Sequence, residues 1–340
     1  MRPVYENNRA YNVLVRYVRW SFRRMFHSVS YIGLDNIPSD SAVIFSPNHV
    51  NTLLDALAIL SAQKTPVVFA ARADLFKKPA LARALNFLKI MPIYRIRDGA
   101  DSLSGNDATF QTAVQTLKSG LPFCIFPEGR HSQEPGLLPL RKGIARIALK
   151  AAEDVDKPVV IVPVGLVYED YTDFRTNLKI NIGEPMPVWT PEDDDLQETD
   201  EESGERKHSR KLLQKLTEKM QALITRHRRD KFARDTRLVK ILRLPIVPFA
   251  GLLLLPGIGV FNIFKNKIAD KAFLNSIRYV ACYLINPIIW LLLGLIALIL
   301  LLCIPGGLPL WLRIVLPFVP LILSPFAPEV WYGAIRQKRR

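Results

Sequence analysis

The chain of 340 residues carries 46 lysine and arginine against 31 aspartate and glutamate residues, and its formal net charge is +15. Such a balance suits either nucleic acid or an anionic membrane surface as a partner. The three cysteines, Cys124, Cys282 and Cys303, lie within apolar runs and share no paired spacing, which excludes a disulfide framework or a cysteine zinc site.

Residues 1–30 are predicted to form an amphipathic helix and not a signal peptide, because arginines interrupt every apolar stretch of this segment. Large apolar residues recur at helical spacing over residues 9–27, which is typical of an interfacial helix lying on anionic lipid. A helix packed on the following domain would show the same pattern, and we favour the membrane contact. The apolar positions are Tyr11, Leu14, Val15, Val18, Phe22 and Phe26.

Short apolar runs alternate with amphipathic stretches over residues 31–190, which predicts an α/β domain with a largely parallel sheet flanked by helices. Strands are expected at Ala42–Phe45, Val67–Ala70, Phe123–Phe126, Val159–Val164 and Leu178–Ile182. Helices are expected at Leu53–Ala62, Pro79–Leu88, Asp107–Lys118 and Leu140–Ala152.

Charge divides the next segment, residues 191–240, into two parts. Residues 192–205 hold nine acidic and no basic residues, which is typical of a solvated linker. Residues 206–243 hold fourteen basic and three acidic residues, with leucines at helical spacing, and predict a basic amphipathic helix. No base-reading motif or aromatic stacking platform accompanies this charge, so we expect membrane phospholipids, and no nucleic acid, as the partner.

Three apolar blocks make residues 241–340 a predicted C-terminal helical membrane region. Residues 241–264 contain three prolines and three glycines and predict a kinked or re-entrant segment. Residues 279–304 and 308–327 are each long enough to span a bilayer, and a Pro-Gly-Gly turn joins them into a hairpin.

Basic clusters flank these blocks before residue 244, within 265–278 and at the C-terminus, whereas the Pro-Gly-Gly turn carries no charge. The positive-inside rule therefore places all three clusters, and the α/β domain, on the cytoplasmic side. Three full spans would put residues 265–278 on the opposite side, against that rule, and so we favour the hairpin.

A histidine and an aspartate follow the first predicted strand, where the stretch SPNHVNTLLD places five residues between His49 and Asp55. The carboxyl ends of strands are where α/β proteins expose reactive groups. A neutral imidazole there can accept a hydroxyl proton, while a carboxylate fixes its tautomer. Alone, such a pair is more typical of a structural hydrogen bond.

Three later stretches add polar groups to apolar runs. The stretch FPEGRHS places Glu128 and Gly129 at a strand end, where glycine permits a tight turn. Cations suited to a phosphate follow as Arg130 and, in the stretch LPLRKG, Lys142. The run MPIYR ends at Arg95, and the fourth stretch is VPVG at residues 162–165.

In this order, the four stretches resemble the motif blocks of the phospholipid/glycerol acyltransferase family, over roughly residues 30–190. The commonest spacing in that family has four residues between the histidine and the aspartate. The spacing of five and the stretch FPEGRHS resemble the subgroup of fungal-type glycerol-3-phosphate and dihydroxyacetone-phosphate acyltransferases.

The resemblance implies that His49 is the general base and that Asp55 orients it. It implies substrate-binding roles for five further residues, of which Arg130 and Lys142 have an alternative use as surface cations. These residues are Arg95 for the acceptor's phosphate, Glu128 and Gly129 for the shape of the acceptor site, and Arg130 and Lys142 as further phosphate contacts.

The implied activity is that of a membrane enzyme of phospholipid synthesis. It would move a fatty acyl group from acyl-CoA or acyl-carrier protein to a hydroxyl of glycerol 3-phosphate or 1-acylglycerol 3-phosphate. No metal or other cofactor is expected, because the thioester is already activated and no cluster of histidine, cysteine and carboxylate residues has ligand spacing. The alternative is a catalytically silent, membrane-anchored lipid-binding or scaffold protein.

Overall fold

The computed structural model describes residues 3–94, 102–134, 136–189, 201–228, 244–268, 270–303 and 308–338. The strands are β1 (Ser28–Ile32), β2 (Ala42–Pro47), β3 (Val68–Arg72), β4 (Ile90–Ile93), β5 (Phe123–Cys124), β6 (Val159–Tyr168), β7 (Asn177–Ile182) and β8 (Met186–Pro187). The helices up to residue 228 are α1 (Arg9–Met25), α2 (Leu53–Ala62), α3 (Pro79–Phe87), α4 (Ser102–Lys118), α5 (Gly143–Asp154) and α6 (Glu201–Arg228). The later helices are α7 (Val247–Lys265), α8 (Leu274–Tyr279), α9 (Asn286–Cys303), α10 (Leu310–Val315), α11 (Val319–Leu323) and α12 (Ala327–Lys338).

All eight strands join one sheet, in the order β1-β7-β6-β2-β5-β3-β4, with β8 paired to β6. The five strands from β6 to β4 run parallel, whereas β7 pairs antiparallel with β6 and β1 runs parallel to β7. The prediction of a largely parallel sheet flanked by helices is therefore confirmed. Parallel order also brings the carboxyl ends of β2, β5 and β4 to one edge, where three of the four motif stretches begin.

The central strand β2 shows why helices cover both faces of the sheet. Side chains alternate across a strand, and here both sets are apolar. Val43 and Phe45 join a core with α1, α2 and the C-terminal helices, whereas Ala42 and Ile44 join a second core with α4, α5 and α6. Two apolar faces must both be buried, and so the helices divide between them.

The N-terminal helix forms as predicted, but its apolar face does not lie free for lipid. Tyr11, Val15 and Phe22 are buried in the core, because this face packs against α2 and the C-terminal helices. Beside this apolar face, the Arg19 guanidinium donates to three backbone carbonyls at the end of α2 and beyond. The apolar face therefore makes the contacts of the packed alternative, and contact of this helix with the membrane surface stays a prediction.

Part of the predicted basic helix is α6, which lies across β6 and buries Leu212, Leu216 and Met220. Gly165 of β6 allows this helix to pack closely on the sheet, since a Cβ at this position would come within 2.9 Å of Leu223. Residues 191–200 and 229–243 of the predicted linker and basic helix lie outside the described residues.

Three C-terminal helices are long and apolar enough to cross a membrane: Val247–Lys265, Lys271–Cys303 and Leu310–Ala334. The middle one comprises a 3-10 turn at Lys271–Phe273, α8, a π-helical turn at Val280–Ile285 and α9. It begins ahead of the predicted start at residue 279, because its first turns pack on the α/β domain. The re-entrant character of the first block and the hairpin of the other two stay predictions.

Proline inside α7 is accommodated by a side chain of α9. Pro256 lacks the N–H of a helical residue and crowds the preceding turn, which normally disrupts the helix at this point. The Asn286 amide hydrogen-bonds the backbone on both sides, accepting from Gly257 N–H at 3.0 Å and donating to the Leu253 carbonyl at 3.2 Å. One buried amide therefore satisfies the backbone groups around the proline.

Candidate active site

His49 lies in the loop between β2 and α2, and Asp55 lies at the start of α2. His49 Nδ1 is 2.8 Å from Asp55 Oδ2, so the five intervening residues keep the two groups within hydrogen-bond reach. Asp55 Oδ2 also accepts the backbone N–H groups of Val50 and Asn51, at 2.8 and 2.7 Å. The loop thus closes around the carboxylate, which occupies the first turn of α2, where the helix dipole favours a negative charge.

The second oxygen of Asp55 is held by a residue that the sequence motifs do not mark. The Tyr168 hydroxyl, at the carboxyl end of β6, donates to Asp55 Oδ1 at 2.8 Å. Burial and the adjacent Asp55 carboxylate raise the pKa of Tyr168 well above its usual value, and so the hydroxyl stays protonated and able to donate. Asp55 itself is fully buried, and its charge rests on four hydrogen bonds.

This arrangement fixes the tautomer of His49. Because a carboxylate only accepts, Nδ1 carries the proton that faces Asp55, and Nε2 keeps its lone pair. The imidazole ring stacks on Phe126, with centroids 4.1 Å apart, and meets the ring of His131 edge-on at 5.8 Å. Its side chain is 19% exposed, which leaves a path for a substrate hydroxyl to reach it.

Glu128 connects two loops of the site through their backbones. Its Oε1 accepts the His49 backbone N–H at 2.7 Å, and its Oε2 accepts the Leu138 backbone N–H at 3.1 Å. Burial raises the pKa of the Glu128 carboxyl to about 7, against the opposing effect of these two hydrogen bonds. Its position supports the backbone that carries the His49 ring.

The turn after Phe126 requires glycine, as the sequence suggested. Gly129 has φ of +67° and donates its N–H to the Phe126 carbonyl at 3.1 Å, which closes the turn. The left-handed region is open to glycine and strained for other residues. A Cβ at this position would also lie 3.3 Å from Arg141 Cγ.

The candidate phosphate contacts are less completely placed than the His49–Asp55 pair. Arg130 and Lys142 are exposed at the edge of the site. Arg95 lies outside the described residues, and the strand before it, β4, ends at Ile93 on the sheet edge that carries His49. Within the described ranges, no three histidine, cysteine, aspartate or glutamate side chains group so as to hold a metal ion.

A cavity of about 180 Å³ opens beside the loop that carries His49. Asn48, Val50 and Tyr168 form part of its wall, together with Leu166 of the same strand β6. The Asn48 amide pairs with both backbone groups of Leu166, at 2.6 and 3.1 Å, so that the cavity wall is continuous with the sheet.

A buried aspartate hydrogen-bonded to a partly exposed imidazole, at the carboxyl edge of the parallel strands, is an arrangement that can support base-catalysed transfer to a hydroxyl. Residues 28–167 match the family model described as Acyltransferase. Over these residues the chain is therefore similar to the acyltransferase family.

The curated relatives are acyltransferases of two kinds. A chloroplastic 1-acyl-sn-glycerol-3-phosphate acyltransferase of Arabidopsis thaliana is 28% identical over 145 residues, 42% of this chain and 36% of the relative. The 1-acyl-sn-glycerol-3-phosphate acyltransferase of Borreliella burgdorferi is 27% identical over 44% of this chain and 55% of its own. Glycerol-3-phosphate O-acyltransferase 2 of Saccharomyces cerevisiae is 39% identical over 84 residues, 24% of this chain and 11% of the relative.

The chain thus spans between 11% and 55% of the length of these relatives. Among solved structures, it overlaps with the 1-acyl-sn-glycerophosphate acyltransferase PlsC of Thermotoga maritima at a TM-score of 0.42 and 22% sequence identity. That overlap covers 66% of this chain and 86% of the other.

Proposed function

We propose that the chain is a membrane-bound O-acyltransferase of glycerophospholipid synthesis. The observation that carries this proposal is the 2.8 Å contact between His49 Nδ1 and a buried, four-times hydrogen-bonded Asp55. The family match over residues 28–167 and the names of the curated relatives support acyl transfer to a glycerol phosphate.

In the proposed mechanism, His49 Nε2 takes the proton of an acceptor hydroxyl while that oxygen attacks the thioester carbonyl of the donor. The imidazolium that forms is stabilised by the Asp55 carboxylate. When the tetrahedral intermediate collapses, the carbon–sulfur bond breaks and the thiolate takes the proton from His49. The new ester and the free thiol then leave, and the thiol carries the proton that the acceptor hydroxyl lost.

We assign the remaining residues as follows. Glu128 and Gly129 shape the acceptor site by fixing the turn beside His49. Arg95, Arg130 and Lys142 are the candidate contacts for the acceptor's phosphate, which a guanidinium or ammonium group recognises by charge-assisted hydrogen bonds.

The acceptor is glycerol 3-phosphate or 1-acylglycerol 3-phosphate, and the donor is acyl-CoA or acyl-carrier protein. The relatives include enzymes named for each acceptor. The five-residue spacing favours the glycerol-3-phosphate side, through its resemblance to the fungal-type subgroup. Three apolar helices support an integral membrane protein, and the basic clusters beside them support an active site on the cytoplasmic side.

The test is a panel of acceptors offered to the full chain in detergent. Each of the two phosphates and dihydroxyacetone phosphate is incubated with acyl-CoA or acyl-carrier protein, and the lipid product is identified by mass spectrometry. We expect product from the wild type and none from His49→Ala. His27→Ala, which alters a histidine outside the site, serves as the control.

Normal activity in His49→Ala would refute the mechanism. Lipid binding by the wild type without turnover of any acceptor would favour the catalytically silent alternative.

A further inference from the structure

The middle C-terminal helix, Lys271–Cys303, contacts the active-site loop through its first turns, ahead of its wholly apolar part. We call residues 270–276 the anchor segment. It comprises Asp270, the 3-10 turn Lys271–Phe273 and the start of α8. The sequence around His49 gives no sign of this contact, because more than two hundred residues separate the two.

Ser276 of the anchor segment holds the loop between His49 and Asp55 at two points. The hydroxyls of Ser276 and Thr52 lie 2.7 Å apart, and Ser276 Oγ donates to the Asn51 carbonyl at 3.2 Å. All three residues are buried, with Ser276 only 3% exposed. Asn51 is also the residue whose N–H donates to Asp55 Oδ2. Ser276 therefore acts one peptide unit away from the carboxylate that orients His49.

Backbone strain shows why the loop needs an external support. Thr52 has φ of +48°, a conformation that is unusual for any residue with a Cβ and most unfavourable for a β-branched one. Strained residues persist only where the surrounding structure over-determines them. The Ser276 hydroxyl is a direct contact of the Thr52 side chain in this loop.

A second contact of the anchor segment reaches the ring beside His49. Asp270 Oδ2 lies 2.5 Å from His131 Nε2, and Phe273 meets the His131 ring edge-on at 5.3 Å. The hydrogen bond from His131 lowers the pKa of the Asp270 carboxyl below its usual value. Since the His131 ring meets the edge of the His49 ring, Asp270 and Phe273 limit the positions open to both.

We propose that the anchor segment is a positioning element of the active site, in which Ser276 fixes the His49–Asp55 loop through Thr52 and Asn51, and Asp270 fixes His131. This inference rests on the proposed function. It means that the helix predicted to enter the membrane also aligns the general base. Ser276, Asn275 and Asp270 act through other residues and contact no reacting atom. Asn275 adds a tie to the β6–β7 connection by donating to the Tyr171 carbonyl at 2.8 Å.

A double-mutant cycle on the full chain in detergent tests the first contact. Ser276→Ala removes the supporting hydroxyl, and Thr52→Val removes its partner while keeping the β-branched shape and the strain. We expect each variant to lower kcat about tenfold, since small displacements of a catalytic group cost up to about 100-fold. The KM for the acceptor should change less than about twofold, because the substrate contacts are untouched. The double variant should lose no more than the worse single variant.

Two controls isolate the hydroxyl pair. Thr52→Ser keeps a hydroxyl at the same place and should stay within about threefold of the wild-type kcat. Ser324→Ala removes another buried serine of the membrane region, whose hydroxyl donates to its own helix at the Leu321 carbonyl, and should keep the wild-type kcat.

The second contact has its own variant. In Asp270→Asn, the amide oxygen can still accept the Ala272 N–H, which Asp270 Oδ1 accepts at 2.9 Å, and so the helix start is kept. The charge that faces His131 is lost, and we expect kcat to fall about threefold or more.

Three outcomes would overturn the proposal. One is a Ser276→Ala kcat within twofold of the wild type, and another is a double variant that loses the product of the two single losses. The third is an acceptor KM that rises while kcat stays constant. If Ser276→Ala fails to fold, the comparison of kcat between Thr52→Val and Thr52→Ser tests the positioning role instead. An active wild type with inactive His49→Ala and normal Ser276→Ala would refute the positioning role alone, whereas an inactive wild type would refute both.

Discussion

Replacing Asp55 by asparagine separates the charge of this residue from its geometry. Three donors converge on Oδ2, namely His49 Nδ1 and the N–H groups of Val50 and Asn51, and one hydroxyl donates to Oδ1. In Asp55→Asn, the single amide oxygen can take the position of Oδ2 and accept all three. The amide nitrogen then faces Tyr168, whose hydroxyl can rotate and accept.

The loop of this variant is therefore expected to keep its shape, and the loss is electrostatic. Two unit charges 4 Å apart interact by about 4 kcal/mol at the effective dielectric constant of about 20 that suits protein sites. Without the carboxylate, the imidazolium that forms on His49 loses this stabilisation. At about 1.4 kcal/mol per tenfold, kcat should fall about 10³-fold.

The assay is the initial rate of lipid product, measured by mass spectrometry on the full chain in detergent with the best acceptor. A thermal melt alongside should show Asp55→Asn close to the wild type. Asp55→Ala is the contrasting variant, because it leaves two buried backbone N–H groups unpaired at about 1–3 kcal/mol each and should melt at a clearly lower temperature. A kcat of Asp55→Asn within tenfold of the wild type would contradict the proposed role of the charge.

Three further predictions follow from the surroundings of the pair. Tyr168→Phe removes a hydrogen bond to a charged group and should cost about 1.5–3 kcal/mol of stability, more than Tyr279→Phe, whose buried hydroxyl bonds the neutral Ser21 hydroxyl, in matched denaturation curves. Burial raises the pKa of Glu128 to about 7, above the ordinary 4.5, so the folded state binds the extra proton between these values. The melting temperature should fall as pH rises from about 5 to about 7, and Glu128→Gln should flatten this slope; an unchanged slope would contradict the shift. Gly129→Ala should lower both stability, by about 1–2 kcal/mol, and activity, whereas Gly120→Ala, also at positive φ but in open space, should lower stability alone.

Local patterns in the sequence predict most of the sheet and its helices, because burial and periodicity act over a few residues. Helix α2 occupies the predicted range Leu53–Ala62 without change, and four of the five predicted strands have their bounds within two residues of the structure. The strands β1, β4 and β8 were not predicted, since β1 is half-exposed, β4 has only four residues and β8 has two. The opposite direction of β7 comes from its pairing with the preceding strand β6, whereas its parallel pairing with β1 joins distant segments, which no local pattern specifies.

The candidate site divides in the same way. His49, Asp55, Glu128 and Gly129 were predictable because each belongs to a short motif at a strand end. Tyr168 and Ser276 were not, because each reaches the pair from more than one hundred residues away, and a tyrosine in a strand or a serine in a helix carries no local signal. The same limit explains α1, whose apolar face suits lipid and protein equally well.

The spacing of five residues between His49 and Asp55 acquires a physical reason from these contacts. Within the loop, Val50 and Asn51 direct their N–H groups to the carboxylate, and Thr52 turns the chain at positive φ into α2. The Asn51 carbonyl and the Thr52 hydroxyl then face away from Asp55, towards Ser276. A loop of this length can thus bind the carboxylate on one side and the anchor segment on the other. We therefore infer that the departure from the commonest family spacing and the support from the membrane region belong to the same structural solution.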